Sequence, residues 1–377
     1  MNGKTSEMDM LHGPLSGKLL LFTLPIALSS IVQQLFNAAD TAVVGYFGSE
    51  GALAAVGTNT EIIALIVTLS SGLSIGANIL IANRIGRNET AELPAAVQTA
   101  MLLAALIGMA GLLLGQAAAA PLLELIQTPN SIFEEAALYL RFYMLGYLFL
   151  LLYDFGAAVL RARGDSRAPF LALMLSGAAN VGLNLFFVVA LHMGVAGVAI
   201  ATDISTALSA LLVLRRLKKG ELFRLTFREP KFSLKIAGSI LKPGVPSAVQ
   251  GAVFCFANIS VQASVNRFGE TAIAGSTIAM NFEYFTYYII TAFSQTATTF
   301  TSQNYAAGQR DRCRRILWLC LGLSTVCSTI PIRTAQIFHL LLAVISNRQN
   351  RRKALKSLGL LRNQNHPKLS SFIRCYP

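Results

Sequence analysis

Apolar residues run along this chain in long stretches separated by short polar segments. No Lys or Arg occurs between Leu19 and Ile81, and the pattern repeats beyond them. A helix needs about 20 mostly apolar residues to cross a bilayer. By that measure the sequence predicts spans at 19–45, 53–81, 95–120, 134–160, 168–190, 194–214, 244–267 and 272–300, with a less apolar ninth at 316–332. A very large soluble helical core would not explain so many long uncharged runs. The expected fold class is therefore all-α, a polytopic membrane protein.

The charges between the spans sort by parity. The first, third, fifth and seventh connections (46–52, 121–133, 191–193 and 268–271) carry no Lys or Arg. The even ones are basic: Arg84 and Arg87; Arg161, Arg163 and Arg167; nine Lys or Arg in 215–243; and Arg310, Arg312, Arg314 and Arg315. Basic loops stay on the cytoplasmic side, which predicts a cytoplasmic N-terminus and a multi-pass protein of the cytoplasmic membrane. Composition agrees, with 54% hydrophobic and 13% charged residues and a mean hydropathy of +0.56, against about 25% charged in soluble domains. The net charge of +13 is then topology, and because it sits in loops beside membrane helices it does not suggest a nucleic-acid partner. Residues 1–18 hold Glu7 and Asp9 and lack a short apolar core with a cleavage site, so no signal peptide is expected. Cys255, Cys313, Cys320, Cys327 and Cys375 show no CxxC spacing, and they read as packing residues rather than metal ligands or a disulfide set.

An internal repeat lies beneath this pattern. At an offset of 221, Pro25 pairs with Pro246, Ala27 with Ala248, Asn37 with Asn258 and Phe47-Gly48 with Phe268-Gly269. One inserted residue then pairs Asn59 with Asn281, Glu61 with Glu283 and Gly86 with Gly308. Six spans separate the copies, so both keep one orientation, as in a parallel repeat. The expected organisation is a cytoplasmic N-terminus (1–18), a first six-helix lobe (19–214), a basic cytoplasmic linker (215–243), a partial second lobe (244–332) and an atypical basic tail (333–377). From Arg312 onward there is no Asp or Glu, and 348–377 carries eight Lys or Arg. The apolar piece 336–346 is too short to cross a bilayer. The tail reads as a departure from the repeat near 327–332, as a frameshift or early end would produce.

Ionisable residues inside spans are functional candidates, since each costs roughly 2.5–3.5 kcal/mol at a helix centre. Here they are Asp40, Glu61, Asp154, Asp203 and Glu283. Asp40 lies in "QQLFNAADTAVVG", with Asn37 one turn earlier and Pro25 upstream, where a missing amide permits a helix bend. In the fifth span Asn180 and Asn184 stack at i, i+4, and the sixth span brings Thr202. A carboxylate, two amides and a hydroxyl form a hard-oxygen set suited to Na⁺ or to a proton with hydrogen-bonding neighbours. Glu61 and Glu283 match in the repeat, which suggests a paired structural role. A substrate role is open for Glu283, because "NFEYFTYY" surrounds it with aromatic rings, Tyr287 among them, whose faces can hold organic cations.

Four stretches together resemble the multidrug and toxic-compound extrusion (MATE) family: "LPIALSSIVQQLFNAADTAVVGYFG", "LRARGDSRAP", "GVAGVAIAT" and "NFEYFTYYIITAFSQTATTFTSQNYAAGQ". The likeness runs from about residue 13 to about 327. It implies two lobes of six helices, with the second incomplete here and about 8–9 of 12 transmembrane helices present. It also implies export of organic cations in exchange for Na⁺ or H⁺. The positions matching the coupling site of one branch are Asp40, Asn180 and Thr202; Asn184 stands where that branch has Asp.

The expected function is secondary active multidrug efflux, with no enzymatic step and no cofactor beyond the coupling ion. The expected partners are small organic cations and membrane lipid, and the expected state is a monomer. Other readings are a flippase for lipid-linked sugars, which asks for a cationic cavity where Arg141 is the main candidate, and an inert truncated remnant. An aspartyl protease built on Asp154 and Asp165 is disfavoured because Asp165 falls in a loop between Arg163 and Arg167.

Overall fold

The computed structural model describes residues 7–48, 51–219, 232–266, 270–329 and 333. Among these residues there are helices and no strands. In chain order they are α1 (Leu15–Phe47), α2 (Ala52–Gly86), α3 (Leu93–Leu125), α4 (Asn130–Leu145), α5 (Tyr147–Ala162), α6 (Arg167–Asn184), α7 (Gly194–Lys219), α8 (Leu234–Asn266) and α9 (Glu270–Ala306). A further helix, α10, begins at residue 310 and continues to 329. The chain divides into two compact units, 1–325 and 326–377. Everything below concerns the first.

Among the described residues, six helices are long and apolar enough to cross a membrane, and the α4–α5 pair adds a seventh if it is counted as one bent span. At 1.5 Å per residue, the 33 residues of α1 exceed a hydrocarbon core of about 30 Å, so its ends project. The span expected at 134–160 is not one rod. It breaks at Gly146 and bends by 44° between α4 and α5. Within the basic stretch 215–243, α7 runs to Lys219 and α8 begins at Leu234, because the Leu and Ala residues flanking the basic cluster support helix at both ends. The linker's centre, 220–231, and the tail from 334 lie outside the described residues.

Buried contacts concentrate on α2, which packs against α4, α5, α8 and α9. Its seam with α8 is made by small residues. A Cβ placed on Gly76 would lie 2.0 Å from the Ile240 carbonyl oxygen, and one on Gly72 would lie 2.4 Å from the Ala248 Cα. Glycines spaced by four let the two backbones touch, the usual way membrane helices gain contact when apolar burial gives no preference over lipid. Asn78 extends the join: its Nδ2 donates to the Ala158 carbonyl (3.0 Å), and its Oδ1 accepts from the Thr299 hydroxyl (3.0 Å).

Pro25 lies inside α1 without breaking it. Proline has no amide to donate to the Leu21 carbonyl one turn back. Nearby hydroxyls brace this turn, as Ser29 Oγ donates to the Pro25 carbonyl (2.7 Å) and Thr23 Oγ1 to that of Leu19 (2.7 Å).

Candidate functional site

Three helices converge on Asp40. It is 9% exposed on α1, although residues 37 and 38 beside it are exposed. Asn184, fully buried at the end of α6, donates from Nδ2 both to Asp40 Oδ1 and to Asn180 Oδ1, the latter at 3.1 Å. Asn180 Nδ2 in turn reaches Thr202 Oγ1 on α7 at 3.4 Å. The Thr202 hydroxyl stands within hydrogen-bonding reach of Asp40 and also donates to the Val198 carbonyl (3.0 Å). The structure thus brings Asp40, Asn180, Asn184 and Thr202 into one group, although 162 positions separate the first from the last in sequence.

Two local features aim these side chains. Asn180 and Asn184 share a face through their i, i+4 spacing. Directly after Asn184 the backbone widens into a π turn over Leu185–Ala190, a form that recurs at functional sites. One turn away, Val43, Val44, Val188, Val195, Val198 and Ala199 pack with Tyr139 into a buried apolar layer. A layer of this kind excludes water and strengthens every polar interaction beside it. Asn184 Oδ1 is buried and has no hydrogen-bond partner in the protein. A buried acceptor without a donor is costly, and a cation beside the carboxylate would satisfy it.

The other candidates fall elsewhere. Asn37 shares a helix with Asp40 but not its buried face: it is exposed, and its carbonyl accepts from Thr41. Three residues turn an α-helix by about 300°, roughly 60° short of a full turn, and that offset leaves Asn37 outside the pocket. Glu61 is exposed on α2, and the side chain of Glu283, expected to pair with it, lies outside the described residues. Tyr287 is 38% exposed and stacks on Phe254, with ring centres 5.1 Å apart and planes 6° from parallel. Its neighbour Tyr288 donates to Gln34 Oε1 at 2.9 Å, joining α9 to α1. Arg141 is exposed on α4, so it lines no buried cationic pocket. Asp165 caps α6 through the Ala168 amide (2.9 Å) and is held by Arg216 at 3.0 Å, which makes it a loop clamp.

Sequence reasoning missed Tyr139, on α4, which lies within electrostatic reach of both Asp40 and Asp203. It also missed a band of contacts at the end of the bundle that carries the basic loops. Thr296, Thr299 and Gln303 on α9 meet Thr23 (2.8 Å), Asn78 (3.0 Å) and the Ala162 carbonyl (2.6 Å). Residues 7–14 lie across the same end. Glu7 pairs with buried Arg163, the Met8 amide donates to the Gly164 carbonyl (3.2 Å), and the Met10 carbonyl accepts from Asn304 (3.2 Å). Arg312 donates to the Gly13 carbonyl at 2.9 Å. The signal in the sequence was the "TATTFTSQN" stretch, whose polar residues recur at helical spacing.

The MatE family model matches residues 25–187 and 246–349, most of the chain, and its second segment extends past 332. The chain is 25% identical over 338 residues to "Probable multidrug resistance protein YoeA" of Bacillus subtilis, a match covering 87% of this chain and 73% of that one. It is 27% identical over 310 residues to "Probable multidrug resistance protein NorM" of Thermotoga maritima, a match covering 78% of this chain and 64% of that one. Among solved structures, a MATE protein in complex with MaD3S superposes with a TM-score of 0.83 at 22% identity, over 91% of this chain and 78% of that chain. At that identity the likeness is one of fold. The family model, matching the helices that build the Asp40 group, gives the conclusion that the chain belongs to the MatE family of membrane transporters.

Proposed function

We propose that this chain exports organic cations in exchange for Na⁺ or H⁺ across the cytoplasmic membrane, with its N-terminus and basic loops in the cytoplasm. The observation that carries this reading is Asp40: a carboxylate inside a span, held by an amide from α6, beside a hydroxyl from α7 and a buried acceptor without a donor. A bare charge there is expensive. A proton or a small cation removes that expense, so occupancy of the site and the packing of α1 against α6 and α7 are linked. The names of the relatives, multidrug resistance proteins, support a drug as cargo.

Positions along the helices support a mechanism. Asp40 and Asn184 lie toward the ends of α1 and α6, and Thr202 lies near the start of α7. All three are in the half of the bundle away from the basic loops. The opposite end is closed by the α9 contacts and the residue 7–14 strap. Ion exchange at Asp40 from the outside, followed by release of the strap end, opens the space between the halves to the cytoplasm in turn. Pro25, between these two regions on α1, is where that helix has a hydrogen bond to spare and bends most cheaply. Exposed rings such as Tyr287, stacked on Phe254, offer faces for a flat cation.

The test is ethidium transport by the purified chain in liposomes, driven by an imposed Na⁺ or pH gradient. Transport that needs one of these gradients, and stops when an ionophore collapses it, is the expected result and identifies the ion. Ethidium movement equal to that of protein-free liposomes under both gradients overturns the reading.

A further inference from the structure

Arginines at the basic end hold carboxylates: Arg84 pairs with Glu92, Arg163 with Glu7 and Arg216 with Asp165. Arg161 does not. It lies half-buried in the last turn of α5 and turns inward to α9, where its Nη1 donates to Gln295 Oε1 at 3.0 Å. Among the described residues no carboxylate comes within ion-pairing distance of it. Asp154, about two turns earlier on the same helix, feels the Arg161 charge without reaching that distance. A guanidinium drawn into a narrow cleft without a counter-ion is costly, and an anion beside it removes that cost.

Arg161 borders a cavity of about 40 Å³ between α2, α5 and α9. That is room for a few waters or one acid group, not for a whole drug. Among the described residues no carboxylate lines it, and the polar groups left over are donors. A guanidinium has five N–H groups, and one bond from them goes to Gln295. The Gln295 amide has its oxygen engaged and its nitrogen still to give. The hydroxyls of Ser71 and Ser294 border the same space and donate to no described residue. The acceptors are taken, since Asn78 Oδ1 already receives the Thr299 hydroxyl at 3.0 Å. One positive charge and a surplus of donors fit an anion.

We propose that this cavity is an anion-binding subsite of the transport cleft and that it takes the carboxylate of a zwitterionic cargo, whose cationic ring lies in the open cleft beside it. The planar fork of Arg161 holds the two carboxylate oxygens, and Gln295, Ser71 and Ser294 orient them. Ser71 and Arg161 come from helices before the basic stretch 215–243, and Ser294 and Gln295 from α9 after it, so a group held by all four spans the two parts of the bundle. A cargo without an acid gains nothing from the cavity, and one with a second positive charge there is rejected. The cargo's cationic part rests on the exchange reading, but the test of the subsite does not need transport.

A rhodamine with a free carboxylate and its methyl ester share one cationic ring system and differ at the acid alone. Fluorescence anisotropy of each dye with the purified full chain in phosphatidylcholine nanodiscs reads binding. Wild type should bind the acid more tightly than the ester. Arg161→Gln should weaken the acid by about tenfold to a hundredfold, the worth of a bond to a charged group, and leave the ester unchanged. Arg161→Lys, which keeps the charge and loses the fork, should fall between. Ser294→Asp, at an exposed position, brings a second carboxylate to the cavity and should also weaken the acid alone, so the test stands even where Arg161→Gln fails to fold. A wild type without preference for the acid overturns the proposal. So does an equal loss of both dyes in these variants, which makes Arg161 and Gln295 a structural link only. Adding phosphatidylglycerol to the nanodiscs should leave binding of the acid unchanged; competition that Arg161→Gln abolishes gives the cavity to lipid headgroups and overturns the assignment to cargo. Failure of ethidium exchange in wild type, with the dye preference intact, overturns the exchange reading and not the subsite.

Discussion

Asn184 shows how much one side chain can carry. Its amide nitrogen serves both Asp40 and Asn180, and its oxygen is buried without a donor. A hydrogen bond to a charged group contributes roughly 1.5–3 kcal/mol, and about 1.4 kcal/mol is tenfold in affinity. Asn184→Ala should therefore weaken binding of the coupling ion by roughly tenfold to a hundredfold, as read by calorimetry or by the ion dependence of transport. Asn180→Ala, which removes the acceptor orienting Asn184 and a long contact to Thr202 but no contact to Asp40 itself, should cost less. Equal affinity in Asn184→Ala and wild type would place the ion elsewhere. The Asp40, Asn180, Asn184 and Thr202 group was legible in the sequence because polar side chains are rare inside spans and two of these sit at helical spacing. Asn37 was misplaced because an i, i+3 neighbour shares a broad helix face without sharing a pocket. Asp203 was visible as a charge, but its carboxylate lies against the Gly146 backbone between two other helices, which no periodicity records.

At the scale of elements, the positions of the spans followed from apolar length alone, since the bilayer fixes that length. The break in the fourth span did not, because Gly146 looks like any glycine until α7 is packed against it. The α2–α8 seam was hidden for the same reason, and there the physics gives two opposite predictions from one substitution type. Gly76→Ala places a methyl group into the Ile240 carbonyl, and overpacking of this kind costs roughly 1–3 kcal/mol. Gly238→Ala, on the partner helix α8, meets nothing within 4 Å and should stabilise by about 0.5–1 kcal/mol through lower chain entropy. Thermal unfolding of the detergent-purified variants checks both. Gly76→Ala should lower the midpoint and Gly238→Ala leave it unchanged or raise it; the reverse order would mean that the helices do not meet along this seam.

For the whole molecule, the charge pattern predicts an orientation and the contacts predict a closed end. In a chain freed of its own cysteines, Met193→Cys, in the turn between α6 and α7, should react in intact cells with a thiol reagent that cannot cross the membrane. Arg310→Cys, at the basic end, should react only after permeabilisation. The opposite pattern would invert the proposed topology. The closed end itself was not legible, because the residue 7–14 strap is polar chain whose partners, Arg163, Gly164, Asn304 and Arg312, lie about 150 to 300 residues away. The central claim joins all three scales: ion exchange at Asp40, we propose, converts an ion gradient into export. Its most direct test compares Asp40→Asn with wild type in the same liposomes, under the gradient that drives ethidium transport. The account predicts that Asp40→Asn folds with a normal unfolding profile and loses gradient-driven transport. Ethidium transport at the wild-type rate, still responding to the gradient in Asp40→Asn, would contradict it.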